Sequence, residues 1–250
     1  SMLAQGVCSA LGQRGYRTIL STTAYDPEAE QRCIQMVQQN KVDGIIGLTY
    51  TPDLDVDPRL PYVSIDRYFS PGVPCVSSDN FGGGQLAAET LLKLGCARPL
   101  FLRIGSKVPG ESDKRGNGFE SVFRQKRMDC VSLRLNDEEG YAPFRNFLSS
   151  HIEGGRLAFD GIFCVNDALA IQILTMLLEL GPRVPEDVQL IGFDGIRRFA
   201  REGFYCSTIV QPVSRLAETS VDLLLREDRS NLPSLVCLPV SYAAGGTTRE

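Results

Sequence analysis

The chain has 250 residues, of which 43% are hydrophobic and 22% charged, and it carries a formal net charge of −4 with a pI near 5.2. This composition is typical of a globular protein with one large domain or two small ones, and it does not predict the basic surface that grips a nucleic-acid backbone. The sequence has no apolar run of about 18 residues and no basic segment leading into an apolar one, so we expect neither a membrane span nor a secretory signal.

Helical and extended patterns alternate from the start of the chain. The first predicted elements are a helix at 2–15, a strand at 16–22, a helix at 27–40, strands at 42–48, 61–66 and 75–80, a helix at 82–95 and a strand at 99–105. Because a doubly wound α/β half normally starts with a strand rather than a helix, we expect further residues ahead of Ser1.

The same alternation continues to the end of the chain. The remaining predicted elements are a helix at 117–127, a strand at 131–135, a helix at 141–152, a strand at 160–167, a helix at 167–181, a strand at 188–195, a helix at 214–227 and a strand at 234–242. This series predicts an α/β fold with parallel sheets covered by helices on both sides. The tripeptide Asp-Gly-Ile occurs at 43–45 and again at 160–162, which fits two similarly wound halves.

Cysteine and histidine are the residues that could bind a soft metal or carry out redox chemistry. The eight cysteines include no Cys-x-x-Cys pair, and His151 is the only histidine. We therefore expect no metal, no cofactor and no Ser-His-Asp triad. Cys164 and Cys237 lie inside apolar runs and are predicted to be small core residues in a reducing compartment, for which the cytoplasm is the default.

Asp and Asn residues follow several predicted strands at their carboxyl ends. These residues are Asp66 (with Arg67 next to it), Asp79 and Asn80, Asn166 and Asp167, and Asp194. Each could form a turn or cap the following helix, and in the two pairs we expect the second member to cap. Together they favour a polar cleft, because parallel α/β sheets bind ligands beyond the carboxyl ends of their strands. Asp, Asn and Arg present adjacent hydrogen-bonding atoms that match the neighbouring hydroxyls of a sugar.

Aromatic and basic residues near these strand ends have two interpretations each. Tyr50, Tyr68 and Phe69 could stack on a sugar ring, or they could belong to the ordinary surface or core. The basic residues from 114 to 127 are expected to form a solvated helix face. The exception is Arg115, which stands at the start of that helix.

A glycine-rich segment, Gly-Gly-Gly-Gln-Leu-Ala at 82–87, follows a strand and opens a helix. It resembles a dinucleotide fingerprint. However, Asp79 at the strand end would repel a pyrophosphate, and no acidic residue ends a strand about 20 residues later. We therefore interpret the glycines as sites of close helix packing.

Seven motifs occur in a fixed order along the chain. They are Asp-Gly-Ile-Ile, Ser-Ile-Asp-Arg, Ser-Asp-Asn-x-x-Gly-Gly, Arg-x-x-Gly-Phe, Val-Asn-Asp-Ala-Leu-Ala, Val-Pro-Glu-Asp-Val-x-Leu-Ile-Gly-Phe-Asp and Thr-Ile-Val-Gln-Pro-Val. As an ordered set they resemble the effector-binding core of the lactose-repressor/galactose-repressor family of bacterial transcription regulators. The resemblance covers essentially the whole chain.

The resemblance implies a specific architecture. Two doubly wound parallel-sheet subdomains of the periplasmic-binding-protein-like type are joined by three crossover segments, with a small effector, usually a sugar, in the cleft between them. The first subdomain would contain residues 1–104 and 211–238, and the second would contain residues 105–210 and 239–250. A DNA-binding helix-turn-helix headpiece and a first core strand are expected ahead of this chain.

The resemblance also implies which residues bind the effector. Carried over by motif, they are Asp66, Arg115, Asn166, Asp194 and Gln211, and Tyr50 is added as an aromatic candidate. This set largely coincides with the residues at the predicted strand ends. The sequence departs from the family where residues 111–114 read Glu-Ser-Asp-Lys, since family members often have serine just ahead of the arginine, so the resemblance makes no prediction for that wall of the pocket.

The implied function is control of transcription by a ligand, most simply repression of carbohydrate-utilisation genes. The expected protein is a cytoplasmic homodimer that binds a sugar effector, contacts operator DNA through its headpiece, and has no enzymatic activity and no membrane attachment. One alternative is a secreted sugar-binding receptor of a transporter, which a signal peptide would favour. The other is a nucleotide-using α/β enzyme, which turnover or nucleotide binding at Gly82–Gly84 would favour.

Overall fold

A computed structural model of the chain describes residues 2–23, 26–49, 51, 54–67, 72–107, 109–198 and 203–249. The chain divides into two compact units. The first consists of Ser1–Ser78 and Pro212–Leu238, and the second consists of Asp79–Gln211 and Pro239–Glu250. The chain therefore passes from one unit to the other three times, which is the connectivity implied by the family resemblance.

Helices and strands alternate along most of the described chain. The α-helices are α1 (Met2–Gln13), α2 (Pro27–Gln38), α3 (Asn80–Lys93), α4 (Asp113–Gln125), α5 (Ala142–Ser150), α6 (Asp167–Leu180) and α7 (Val213–Leu224). The strands are β1 (Ile45–Gly47), β2 (Tyr62–Ile65), β3 (Cys75–Ser78), β4 (Pro99–Gly105), β5 (Val131–Asn136), β6 (Ile152–Glu153), β7 (Arg156–Leu157), β8 (Gly161–Cys164), β9 (Gln189–Asp194), β10 (Ser207–Val210), β11 (Leu235–Leu238) and β12 (Ser241–Ala243). Every predicted helix forms, with ends that differ from the prediction by about one turn or less. None of the helices in the described ranges is long and apolar enough to cross a membrane.

The first unit is built on a four-stranded parallel sheet in the order β1-β2-β3-β11. Strands β2 and β3 are buried along their full length, as expected for central strands covered on both faces. Helix α7 packs against α1 and against β1, β2 and β3. Its residues Leu216 and Leu223 join Val63 and Val76 in the core of this unit.

The second unit is built on a six-stranded sheet in the order β12-β10-β9-β8-β4-β5, in which only β12 runs antiparallel to its neighbour. A group of phenylalanines, Phe101, Phe119, Phe123 and Phe163, fills part of its core, with ring centroids 5.0 to 6.2 Å apart. Two of them, Phe119 and Phe123, lie with Val122 on the buried face of α4. Burial of each ring contributes about 1.5–3 kcal/mol.

The division between the units falls earlier in the chain than the sequence predicts. The prediction assigned residues 1–104 to the first subdomain, but the structure places residues 79–104 in the second unit. The physical reason is pairing and packing: β4 forms ladders with β5 and β8, and α3 packs along α4. All of these partners belong to the second unit.

Two predicted strands need correction. Residues 16–22 form no strand, and Ile19 and Leu20 are 73% and 71% exposed. An extended segment becomes a strand only when a neighbour accepts its ladder hydrogen bonds, and no described strand pairs with this one. The single strand predicted at 234–242 is two strands in different sheets, β11 and β12. Pro239 lies between them and has no N–H to donate to a ladder.

The cysteines differ in burial. Cys164 is fully buried in the second unit, as predicted for a small core residue. The same prediction is wrong for Cys237, which is exposed on β11, the strand at one edge of the first sheet. An edge strand is open to solvent on one side, so an apolar run in sequence does not guarantee burial there.

We expect a thiol reagent at about pH 8 to modify Cys8 and Cys237 in the folded protein while Cys164 and Cys206 stay unmodified. Burial raises the pKa of both inner thiols well above the ordinary value, so these two residues are both inaccessible and protonated. Mass spectrometry after brief iodoacetamide treatment, with and without urea, measures the difference. Labelling of Cys164 without urea would contradict its burial.

Candidate functional site

Four polar side chains come together at the carboxyl edge of the second sheet. Asp194 is the last residue of β9, Gln211 follows β10, and Asn166 precedes α6 just beyond β8. Arg115 reaches the same edge from the first turn of α4. Asp194 Oδ1 accepts hydrogen bonds from Gln211 Nε2 at 2.7 Å and from Arg115 Nη1 at 3.3 Å. Arg115 Nη1 also donates to the carbonyl of Val165, the residue before Asn166, at 2.7 Å.

Arg115 is held in place by the protein itself. Its Nε donates to Asn80 Oδ1 at 2.8 Å, and its guanidinium lies 3.7 Å from the centroid of the Phe193 ring. The side chain is only 8% exposed. Within the described ranges, Nη2 donates to no protein acceptor, so its two N–H groups are left for a ligand. A guanidinium fixed in this way loses little conformational entropy when it binds.

Asp194 presents a carboxylate oxygen at the same edge. Its side chain is 31% exposed, and Oδ2 accepts no hydrogen bond from any residue that the structure describes. Desolvation raises the pKa of Asp194 above its usual value, while the charge of Arg115 and the hydrogen bond from Gln211 act in the opposite direction. The backbone of Asp194 is in the left-handed region, with φ of 119°.

The helix caps at this edge are the reverse of those predicted. The first member of each Asx pair caps its helix: Asp79 and Asn166 each accept from a backbone N–H in the following turn at 2.8 Å. The second members, Asn80 and Asp167, are buried instead. At α6, Asn166 has the extended backbone that brings its side chain over the free N–H groups of the first helical turn. Asn166 uses Oδ1 for its cap, and its Nδ2 donates to no acceptor among the residues that the structure describes, so both amide N–H groups can donate to a ligand.

Asp66 lies in the first unit, at the carboxyl end of β2. Its φ is 55°, and its Oδ1 accepts a hydrogen bond from Ser77 Oγ at 3.0 Å. It therefore ends a parallel strand in the same way as Asp194 does in the other sheet. The three aromatic candidates, Tyr50, Tyr68 and Phe69, lie outside the described residues.

The sequence-based prediction of the site lacks two supporting residues. It assigns Asn80 to a helix cap and Phe193 to an apolar strand, yet both side chains hold Arg115 in place. Asn80 could have been found, because it belongs to the set of polar residues that follow strands. Phe193 gives no comparable signal, since the stacking depends on how far α4 lies from β9.

The glycine-rich segment packs two helices together, as the sequence predicts. A Cβ on Gly84 would lie 1.9 Å from the carbonyl oxygen of Arg115, and one on Gly118 would lie 2.0 Å from that of Phe81. Helices α3 and α4 therefore approach each other backbone to backbone. Asp79 caps α3 and places its carboxylate where a pyrophosphate would have to bind a helix N-terminus.

The arrangement is suited to binding neighbouring hydroxyl groups. Arg115 offers N–H donors beside the charged acceptor of Asp194, and Asn166 offers an amide beyond the end of β8, the strand next to β9. Hydrogen bonds to charged groups contribute about 1.5–3 kcal/mol each, so three or four are enough for micromolar binding. Among the described residues, no group of three or more His, Cys, Asp or Glu side chains could hold a metal ion.

Comparisons with known proteins agree with this fold. The profile of the periplasmic binding protein-like domain matches residues 88–248. The sucrose operon repressor of Streptococcus mutans is 31% identical over 238 residues, which cover 94% of this chain and 72% of the repressor. The ribose operon repressor of Bacillus subtilis is 31% identical over 257 residues, which cover 99% of this chain and 76% of that protein.

A solved structure supports the same conclusion about the fold. A LacI family transcriptional regulator from Enterococcus faecium, determined with bound ribose, has a TM-score of 0.79 to this chain at 24% identity, and the match covers 99% of this chain and 92% of that one. These three relatives are named as repressors or transcriptional regulators, not as enzymes. The chain therefore belongs to the periplasmic binding protein-like family and, within it, to the lactose-repressor/galactose-repressor group of regulators.

Proposed function

We propose that this chain is the effector-binding part of a transcription repressor that responds to a small sugar. The observation that carries the proposal is the cluster of Arg115, Asp194 and Gln211 at the carboxyl edge of the second sheet. The protein fixes its donors and acceptors, and Arg115 Nη2 and Asp194 Oδ2 have no protein partner within the described ranges. A site of this kind binds a polyhydroxylated molecule without any chemical step.

The sugar contacts are assigned by hydrogen-bonding capacity. Asp194 Oδ2 accepts from one hydroxyl, and Arg115 Nη2 donates to the same or the next oxygen of the ring. Asn166 Nδ2 and Gln211 complete this group. Asp66 is proposed as an effector-binding residue contributed by the first unit, and Tyr50 remains a proposed aromatic contact.

The relatives point to the regulatory role. Two of them are named for the sucrose and ribose operons, and the related Enterococcus faecium structure holds ribose. We propose that the protein acts in the cytoplasm as a homodimer and contacts operator DNA through a separate headpiece. The net charge of −4 supports this separate headpiece, because an acidic chain lacks the positive charge that binds the DNA backbone.

A thermal-shift screen tests the proposed site. Ribose, fructose, sucrose and their phosphates are added to the wild-type chain, and one sugar is expected to raise its stability by about 2.7 kcal/mol at 100 times its Kd. Asp194→Asn is expected to weaken the binding of that sugar by about tenfold or more, because it replaces a charged acceptor with a neutral one.

The control for this screen is Asp129→Asn. It makes the same chemical change at an exposed position of the second unit, away from the sheet edge that carries the cluster, and it should leave the melting shift unchanged. If no sugar shifts the wild-type protein, the proposed function is overturned. If the sugar shifts both variants equally, Asp194 is not part of the site.

A further inference from the structure

The turn after β9 has an uncommon backbone conformation. Asp194 has φ of 119° and Gly195 has φ of 81°, so two consecutive residues lie in the left-handed region. Glycine adopts this region freely, whereas a residue with a Cβ does so only when its surroundings hold it there. The direction in which Asp194 points therefore depends on whatever fixes this turn.

The buried carboxylate of Asp167 accepts the hydrogen bonds that hold this turn. Asp167, the first residue of α6, is fully buried, and its Oδ2 accepts from the backbone N–H groups of Gly195 at 2.9 Å and Ile196 at 2.7 Å. Its Oδ1 accepts from Thr208 Oγ1 on β10 at 2.7 Å and from Cys206 Sγ at 3.5 Å. Both oxygens of one side chain thus connect α6, the turn after β9, and β10.

The space around Asp167 is shaped to admit this carboxylate. A Cβ on Gly192 of β9 would lie 2.2 Å from Asp167 Oδ1, so only glycine leaves room for it. The titratable groups that face it are Asp194, Cys206 and Cys164, and within the described ranges no Arg or Lys pairs with it. Burial raises the pKa of Asp167 to about 6, and the hydrogen bonds from Ile196 and Thr208 oppose that rise.

Capping of α6 does not account for these contacts. Asn166 already caps the helix, and the Asp167 side chain turns away from the helix end toward the turn after β9. A buried charge without a cation beside it is costly, and such groups are common where a site needs fixed geometry. Here the fixed geometry that the buried carboxylate maintains is the left-handed backbone of Asp194.

We propose that Asp167 is a positioning residue of the sugar site, which clamps the Gly195–Ile196 backbone so that Asp194 presents its Oδ2 to the ligand. This inference rests on the proposed function of the same site. Asp167 itself does not touch the sugar, and its effect is transmitted through Asp194.

A double-mutant cycle tests transmission through Asp194. Asp167→Ala is expected to weaken sugar binding by about 10- to 100-fold in the wild-type background and to have little further effect in the Asp194→Asn background. Asp167→Asn should stay within about threefold of wild type, because its amide oxygen can accept from both backbone N–H groups while its nitrogen donates to Thr208. Equal losses in both backgrounds, or a loss with asparagine as large as with alanine, would overturn the proposal.

A second measurement does not depend on any sugar. The backbone amide resonances of Gly195 and Ile196 in the wild-type protein are expected to titrate with a midpoint near pH 6, and those of Asp167→Asn are expected to stay constant over the same range. Asp167→Ala should also speed hydrogen exchange at both amides. If the wild-type amide resonances do not change with pH, and hydrogen exchange in Asp167→Ala equals that of the wild type, Asp167 does not clamp the Gly195–Ile196 backbone. If the amides titrate but no sugar binds the wild-type chain, the clamp is real and the proposed function has failed.

Discussion

Replacing Gly84 with alanine is expected to destabilise the second unit by about 3 kcal/mol or more, the upper end of the usual cost of overpacking. The added methyl would lie 1.9 Å from the carbonyl oxygen of Arg115, a backbone atom that cannot rotate away as a side chain would. Helices α3 and α4 would have to separate along their length. Because α4 carries Arg115, sugar affinity should fall together with stability.

Urea unfolding of Gly84→Ala, followed by far-UV circular dichroism, measures the loss, and Gly118→Ala should behave in the same way. The control is Gly12→Ala in α1, where a Cβ meets no atom within 4 Å. That change should stabilise the protein by up to about 1 kcal/mol, because alanine favours helix over glycine. A Gly84→Ala protein with wild-type stability would contradict the close approach of α3 and α4.

Arg115→Lys is expected to reduce sugar affinity by more than about 100-fold, even though the positive charge is kept. A lysine cannot donate at the same time to Asn80 and to the carbonyl of Val165, and it has no planar group to lie on Phe193. The lost hydrogen bonds leave buried acceptors unsatisfied. We therefore also expect the second unit to lose about 2–4 kcal/mol of stability.

Calorimetric titration with the sugar found in the screen measures the affinity, and urea unfolding measures the stability. The matched control is Arg124→Lys, which makes the same substitution at an exposed position of the same helix. It should leave both quantities unchanged. An Arg115→Lys protein that binds the sugar normally would show that the fixed guanidinium is not what recognises it.

Two residues of the four-residue cluster in the second unit could be predicted from sequence for a simple geometric reason. Parallel strands deliver their carboxyl ends to one edge, so Asp194 and Asn166 had to lie near each other once the strands at 160–167 and 188–195 were predicted. Gln211 was assigned by its motif alone, because the sequence predicts no strand at 207–210, where β10 forms. Arg115 was assigned from the Arg-x-x-Gly-Phe motif, because it lies at the start of a helix and not at the end of a strand. The packing role of the glycines could also be predicted. Asp79 beside them would repel a bound phosphate, and close helix packing was the interpretation that remained.

Other features depend on distances that a sequence does not contain. The sequence cannot show that residues 16–22 have no strand beside them among the described residues, because pairing is a property of the neighbour and not of the segment. The exchange of roles between Asn166 and Asp167 depends on a single residue's backbone angle at the helix start. The assignment of 79–104 to the second unit depends on which sheet β4 joins.

The three passages between the units determine the order in which a nascent chain can fold. Strand β3 needs β11 as its neighbour, and the β1–β3 face needs α7 as its cover, yet α7 and β11 leave the ribosome only after all of residues 79–211. By then the six-stranded sheet of the second unit has five of its strands, since only β12 is still to come. The first unit is therefore completed after most of the second, and a ribosome that stalls before residue 212 would leave the apolar face of the first unit uncovered and open to chaperones.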